Sequence, residues 1–139
     1  MANFQKWRML YMNEKEIETK ILDFLNTRQN ILAIKYDNNA AFDPVRGVRL
    51  KLSKYRLKGC SDILCFFTIP HYELQGVIFM EVKKDTGKQS EEQIVFENKI
   101  KKMFGFYGVV RSVKDAETLL TKSVQEFMRR VEVEDGRCI

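Results

Sequence analysis

The chain has 139 residues, 45% hydrophobic and 31% charged, which is the balance of a single globular domain over 1–139 and excludes a disordered segment. Its 24 lysines and arginines against 19 acids leave a net charge of +5. Its single histidine, His71, excludes two-histidine zinc sites, H-E-x-x-H sites and nucleases built on paired imidazoles. Cys60, Cys65 and Cys138 are odd in number and lack a C-x-x-C spacing, so neither a disulfide framework nor a thiolate zinc site is expected. The chemistry left is that of carboxylates, lysines and an oxygen-bound metal, in a reducing, cytoplasmic setting. No apolar run nears the roughly 20 residues of a membrane span, and no signal peptide or membrane association is expected.

Asn13 is placed to cap a helix over roughly 13–28, with Glu14, Glu16 and Glu18 at its positive end and Ile17, Ile21, Phe24 and Leu25 on its apolar face. Ile31–Tyr36 reads as a strand. Asp37–Lys58 reads mostly as a long loop, in which Val48–Leu52 alternates and suits a short strand. Asp62–Ile69 and Gly76–Lys83 form an antiparallel hairpin across Pro70 and His71. Both are nearly continuous apolar runs, so both sheet faces should be covered. Asp85–Gln89 is a turn. Ser90 opens a helix to about Phe104 with a capping box to Gln93, and Gly105 ends it. Tyr107–Ser112 is a strand, a helix follows over about 113–131, and Glu132–Ile139 is expected to fray. The order α-β-β-β-α-β-α predicts an α/β fold with a small mixed sheet flanked by helices.

The charge is concentrated. Residues 31–60 hold seven basic residues against Asp37 and Asp43, and the rest of the chain balances to zero. Arg46, Arg49, Lys51, Lys54, Arg56 and Lys58 follow one another with no acid between and with Tyr55 among them. That is the footprint of a surface that grips a phosphate backbone, whose binding weakens steeply with salt.

The basic run feeds into Gly59-Cys60-Ser61-Asp62 at the start of one hairpin strand, and Glu81-Val82-Lys83 closes the other. Alternation puts Glu81 and Lys83 on one face of their strand, and antiparallel pairing brings Asp62 beside them. Two adjacent carboxylates repel in a low-dielectric site, and a divalent cation relieves that cost. Oxygen ligands suit Mg²⁺.

At these residues the chain resembles the PD-(D/E)xK nucleases, and more narrowly their VRR-NUC (virus-type replication-repair nuclease) family, from about Glu14 to Thr118. The block from Ile17-Glu18 to Leu25 is similar to the family's first helix. Lys58-Gly59-Cys60-Ser61-Asp62-Ile63-Leu64 resembles the strand with the first metal-binding Asp, and Val77–Lys84 the Glu-Val-Lys strand. Gly87-Lys88 and Gln93 resemble the segment after it, and Val109–Ala116 the closing strand and last helix. One departure is Cys60-Ser61, where the family commonly has an apolar residue and Pro.

The resemblance implies a restriction-endonuclease-like core of about 14–118. It implies Mg²⁺ (or Mn²⁺) held by Asp62, Glu81 and the Val82 carbonyl, with Lys83 as the catalytic lysine. Glu18 would reach the metal or its waters from the first helix, with Glu14, one turn earlier, as the competing choice. Gln93 would act near the site or complete the helix cap, and Lys88 would contact phosphate. The activity implied is endonucleolytic cleavage of branched DNA, including Holliday junctions, to 5′-phosphate products. The enzyme would be a homodimer whose two-fold axis suits two opposed cuts, in a bacterial or phage-infected host cell. Two other readings stand beside it: a catalytically inactive nuclease-fold module that binds nucleic acid, and a sequence-specific restriction-type endonuclease. Trp7 and Tyr11 are placed to pack on the domain or on a second subunit, and Met103, Phe104 and Phe106 could form a dimer surface.

Overall fold

The computed structural model describes residues 12–36, 42–49 and 59–137. Trp7, Tyr11, Lys51, Lys54, Arg56, Lys58 and Cys138 lie outside them.

Helix α1 (Glu14–Asn26) opens with a complete capping box. The Asn13 side chain accepts from the Glu16 N–H at 2.9 Å, and the Glu16 carboxylate accepts from the Asn13 N–H at 3.3 Å. The helix stops two residues short of the expected end, at Asn26. Its side-chain amide accepts from the Ala33 N–H and donates to the Ala33 carbonyl, both at 2.9 Å, acting as a surrogate strand on the open edge of β1 (Ile31–Lys35).

Within the segment read as loop, β2 (Phe42–Asp43) and β3 (Val48–Arg49) pair as a small hairpin. Its turn is built on Asp43, whose carboxylate accepts from the Val45 and Arg46 N–H groups and whose carbonyl accepts from Gly47. Strands β4 (Ile63–Ile69) and β5 (Leu74–Val82) form the expected hairpin through a 3-10 turn at Pro70–Tyr72. Helix α2 (Glu91–Lys102) leads to β6 (Phe106–Val110), and α3 (Val113–Arg137) closes the chain. The last helix does not stop near Val131. Glu126 pairs with Arg129 and Arg130 at i+3 and i+4 spacing and supports its final turns.

The main sheet has the order β1-β4-β5-β6, antiparallel at its first two junctions and parallel at the third. The described residues are therefore α/β, with a small mixed four-stranded sheet, the separate β2–β3 hairpin and three α-helices. Ala33, Ile63, Cys65, Phe67, Ile78, Met80, Val82 and Val110 face α1 and α3, which contribute Ile17, Ile21, Leu25, Ala116 and Leu120 to one core. Among the described residues the other face is covered only in part. There α2 lays Phe96 against Phe79 and Tyr107, with ring centroids 5.4 and 6.1 Å apart, and leaves Leu32 of β1 59% exposed.

Gly105 ends α2 differently from the expected glycine cap. The left-handed residue is Phe104, with φ of 60°. Gly105 is required for space, since a Cβ there would lie 2.6 Å from Ile100 Cγ2. Among the described residues no helix is long and apolar enough to cross a membrane.

Candidate functional site

The register of the β4–β5 hairpin decides which polar groups meet. Ile63 pairs with Met80, so one step further Asp62 stands opposite Glu81, at the sheet end where β5 and β6 also finish. The Asp62 carbonyl accepts from the Tyr36 N–H at 2.7 Å, and its carboxylate Oδ2 accepts from the Val82 N–H at 2.8 Å. The side chain is thus pinned across the strand ends rather than left to solvent. Ahead of it, Ser61 is buried and its hydroxyl donates to the Ile63 carbonyl at 3.3 Å. Ser61 therefore makes the local turn at the position where the resemblance departs.

Glu81 is 1% exposed. Its Oε1 accepts from Gln93 Nε2 at 2.5 Å and lies 3.6 Å from Lys83 Nζ. Its Oε2 is buried and has no hydrogen-bond partner. Burial, and next the negative charge of Asp62, push the Glu81 carboxyl up to about 8, against the opposing pull of Lys83. A buried carboxylate oxygen with no donor, next to a second carboxylate, is an energetically open position that a cation would fill. Among the described residues no group of three or more His, Cys, Asp and Glu side chains is poised to hold a metal. Mg²⁺, however, is commonly held by one or two carboxylates with waters completing its shell. Asp62 and Glu81 fit that donor set.

Gln93 makes two contacts at once. Its amide oxygen accepts from the Ser90 N–H at 2.8 Å to complete the capping box, and its amide nitrogen holds Glu81. Gly59 brings the chain to this point. It has φ of 79°, and a Cβ on it would lie 2.4 Å from the carbonyl carbon and oxygen of Glu92. Only glycine lets the approach to Asp62 pass against the first turn of α2.

Glu14 and Glu18 of α1 lie differently with respect to the sheet. Glu18 is buried and pairs with Lys35 at 3.0 Å. Lys35 stands opposite Ile63 and so belongs to the face under α1 and α3, whereas Glu81 is on the α2 face. Glu14 projects beyond the sheet end. Its Oε1 lies 3.2 Å from the point where a Gly87 Cβ would sit, a point 3.3 Å from Lys83 Cδ.

Of the basic residues, Arg46 sits 3.7 Å from Asp43, and Arg49 and Lys88 are exposed. Residues with no sequence signal also join the site. Gln89 donates to the buried Tyr107 hydroxyl at 3.2 Å, and Arg111 donates to three carbonyls of the turn after Lys83. Burial raises the Cys60 and Cys65 thiols, Cys65 to about 12, which removes both as thiolate nucleophiles near neutral pH.

Comparison of the chain with protein-family models, with curated proteins and with solved structures found no match.

Proposed function

We propose that this protein is a metal-dependent, structure-specific DNA endonuclease with a restriction-endonuclease-like core, of the VRR-NUC kind that its Asp62…Glu81-Val82-Lys83 pattern resembles. The observation that carries the reading is the buried Glu81 carboxyl, whose Oε2 no donor reaches, set against the Asp62 carboxylate and Lys83 at one sheet end.

Asp62 and Glu81 would hold Mg²⁺ or Mn²⁺, with the Val82 carbonyl as a further ligand. When bound, the ion supplies polarisation of a phosphodiester and acidification of water. Gln93 holds Glu81 Oε1 and so leaves Oε2 as the oxygen that is presented. Lys83, largely buried, keeps its ammonium in a low-dielectric setting. There it orients a water or stabilises the charge growing on the phosphate. From α1, Glu14 shares with the Lys83 stem the space beside Gly87, while Glu18 is engaged with Lys35. The basic residues Arg46 and Arg49, the run from Lys51 to Lys58, and Lys88 would grip the backbone. The substrate proposed is branched DNA, cut by a homodimer with two active sites.

The test is cleavage of a panel of junctions, flaps, single strands and duplexes by wild type, Asp62→Ala and Lys83→Ala with Mg²⁺ or Mn²⁺. Wild type should cut branched DNA, and both variants should bind it without cutting. Full cutting by either variant would remove these residues from the mechanism. Calorimetric titration with the same ions separates this reading from an inactive binding module, for which no heat of metal binding is expected.

A further inference from the structure

We infer that Arg111 is a positioning residue for Lys83, acting through the turn that follows it; this rests on the nuclease reading above. Lys83 is the first residue past β5, and its N–H donates to the Val110 carbonyl at 3.0 Å. The next residue along, Arg111, reaches back over the same turn. Its Nη1 donates to the carbonyls of Lys84 at 2.6 Å, Gly87 at 2.9 Å and Asp85 at 3.3 Å. Three carbonyl oxygens converge on one guanidinium nitrogen, and without that positive charge their dipoles would oppose one another. The Gly87 N–H closes the turn on the Lys84 carbonyl at 2.9 Å.

Arg111 is itself fixed. Its N–H donates to Asp115 Oδ2 at 3.0 Å, and the Asp115 N–H donates to the Ser112 hydroxyl at 3.1 Å, tying it to the start of α3. Further along, Gln89 is held by Tyr107 of β6. The loop from Lys83 to Gln89 is thus anchored on β6 and the residue after it.

The link to Lys83 is steric. Gly87 has no side chain, and Lys83 Cδ occupies the space beside it, 3.3 Å from where a Cβ would stand. A turn pulled into place by Arg111 therefore forms the wall along which the Lys83 stem runs toward Glu81. If the turn loosens, the wall moves and the Lys83 ammonium is no longer confined near Glu81 Oε1. A displacement of about 1 Å at a reacting group costs on the order of a hundredfold in rate.

The experiment compares wild type, Arg111→Ala, Arg111→Lys and Lys114→Ala, a neighbour lining the same cavity as Arg111 whose ammonium makes no hydrogen bond to the turn carbonyls. Amide exchange is read on metal-free and DNA-free protein, and single-turnover cleavage is read at saturating junction DNA. In Arg111→Ala the Gly87 amide should exchange at least about tenfold faster while β5 stays protected. The saturating rate should fall about a hundredfold, with half-saturating DNA changed less than about threefold. Arg111→Lys, which keeps a donor and the charge, should recover part of the rate, and Lys114→Ala should match wild type. If Arg111→Ala does not fold, Arg111→Lys decides: a rate equal to wild type overturns the inference and a partial loss supports it. An unchanged Gly87 amide overturns it whatever the activity, as does a wild-type rate in Arg111→Ala. Failure of wild type to cut any DNA of the panel instead overturns the nuclease reading, and the exchange data still decide whether Arg111 holds the turn.

Discussion

Replacing Glu81 by Gln removes a buried carboxylate whose ionisation the fold resists, and it should stabilise the metal-free protein in a pH-dependent way. Glu81 has its carboxyl raised from 4.5 to about 8, first by burial and then by Asp62. An acid whose folded value lies above its unfolded value binds more protons in the folded state between the two. The wild type is therefore unpenalised below about pH 4.5 and loses stability as pH rises toward 8. At 1.36 kcal/mol per unit the penalty is about 2 kcal/mol at pH 6 and at most about 5 kcal/mol at pH 8 and above. The glutamine keeps an oxygen for Gln93 and turns an N–H toward Asp62, so a repulsive neighbour becomes an acceptor. Urea unfolding of both proteins with a chelator present, across this pH range, measures the gap. It should open from near zero at the acid end to several kcal/mol at the basic end. A gap that is constant with pH would refute the claim that Glu81 ionisation opposes folding.

The same logic makes wild type, but not Glu81→Gln, gain thermal stability from millimolar Mg²⁺ or Mn²⁺ at pH 8, because a bound cation repays the cost of ionising Glu81; a wild-type melting temperature indifferent to both ions would count against the metal assignment. Gly59→Ala, at φ of 79° and with a Cβ 2.4 Å from the α2 backbone, should cost roughly 2–4 kcal/mol by urea unfolding. Asn26→Ala, which strips both edge bonds from Ala33, should cost about 1–3 kcal/mol, and Asn26→Asp, which keeps only the acceptor, about half as much. Glu14→Gln should slow single-turnover cleavage by at least about tenfold and Glu18→Gln by less than about threefold; the opposite order would return Glu18 to the site.

What the sequence made legible were features written in local chemistry. The helix cap at Asn13 and the capping box at Ser90 are local patterns whose hydrogen bonds close within one turn, and both form, the first as a full capping box with Glu16. The hairpin and its polar ends follow from strand period and a short connection. Together these bring Asp62, Glu81 and Lys83 to one place. What stayed hidden depends on partners distant in sequence. Helical spacing puts Glu14 and Glu18 on one face but does not say that Lys35 of β1 will engage the second of them. A glycine after a helix suggests a left-handed cap, yet at Gly105 the constraint is the proximity of Ile100, and the left-handed residue is Phe104.

Gln93 shows why local and functional readings need not compete. An amide has a donor and an acceptor on opposite atoms, so one side chain caps a helix with its oxygen and holds Glu81 with its nitrogen. Because the cap fixes where α2 begins, it also fixes where that nitrogen points. The positive charge admits a similar analysis. Arg46 to Lys58 reads as a patch because its residues are adjacent, whereas Arg111 is a single arginine whose acceptors are backbone carbonyls 24 to 27 residues away. Carbonyls carry no residue identity, so no pattern of side chains could have announced that contact. A site built from two carboxylates and a lysine is readable in sequence. The turn that holds the lysine in place becomes readable only when β6 is seen lying beside β5.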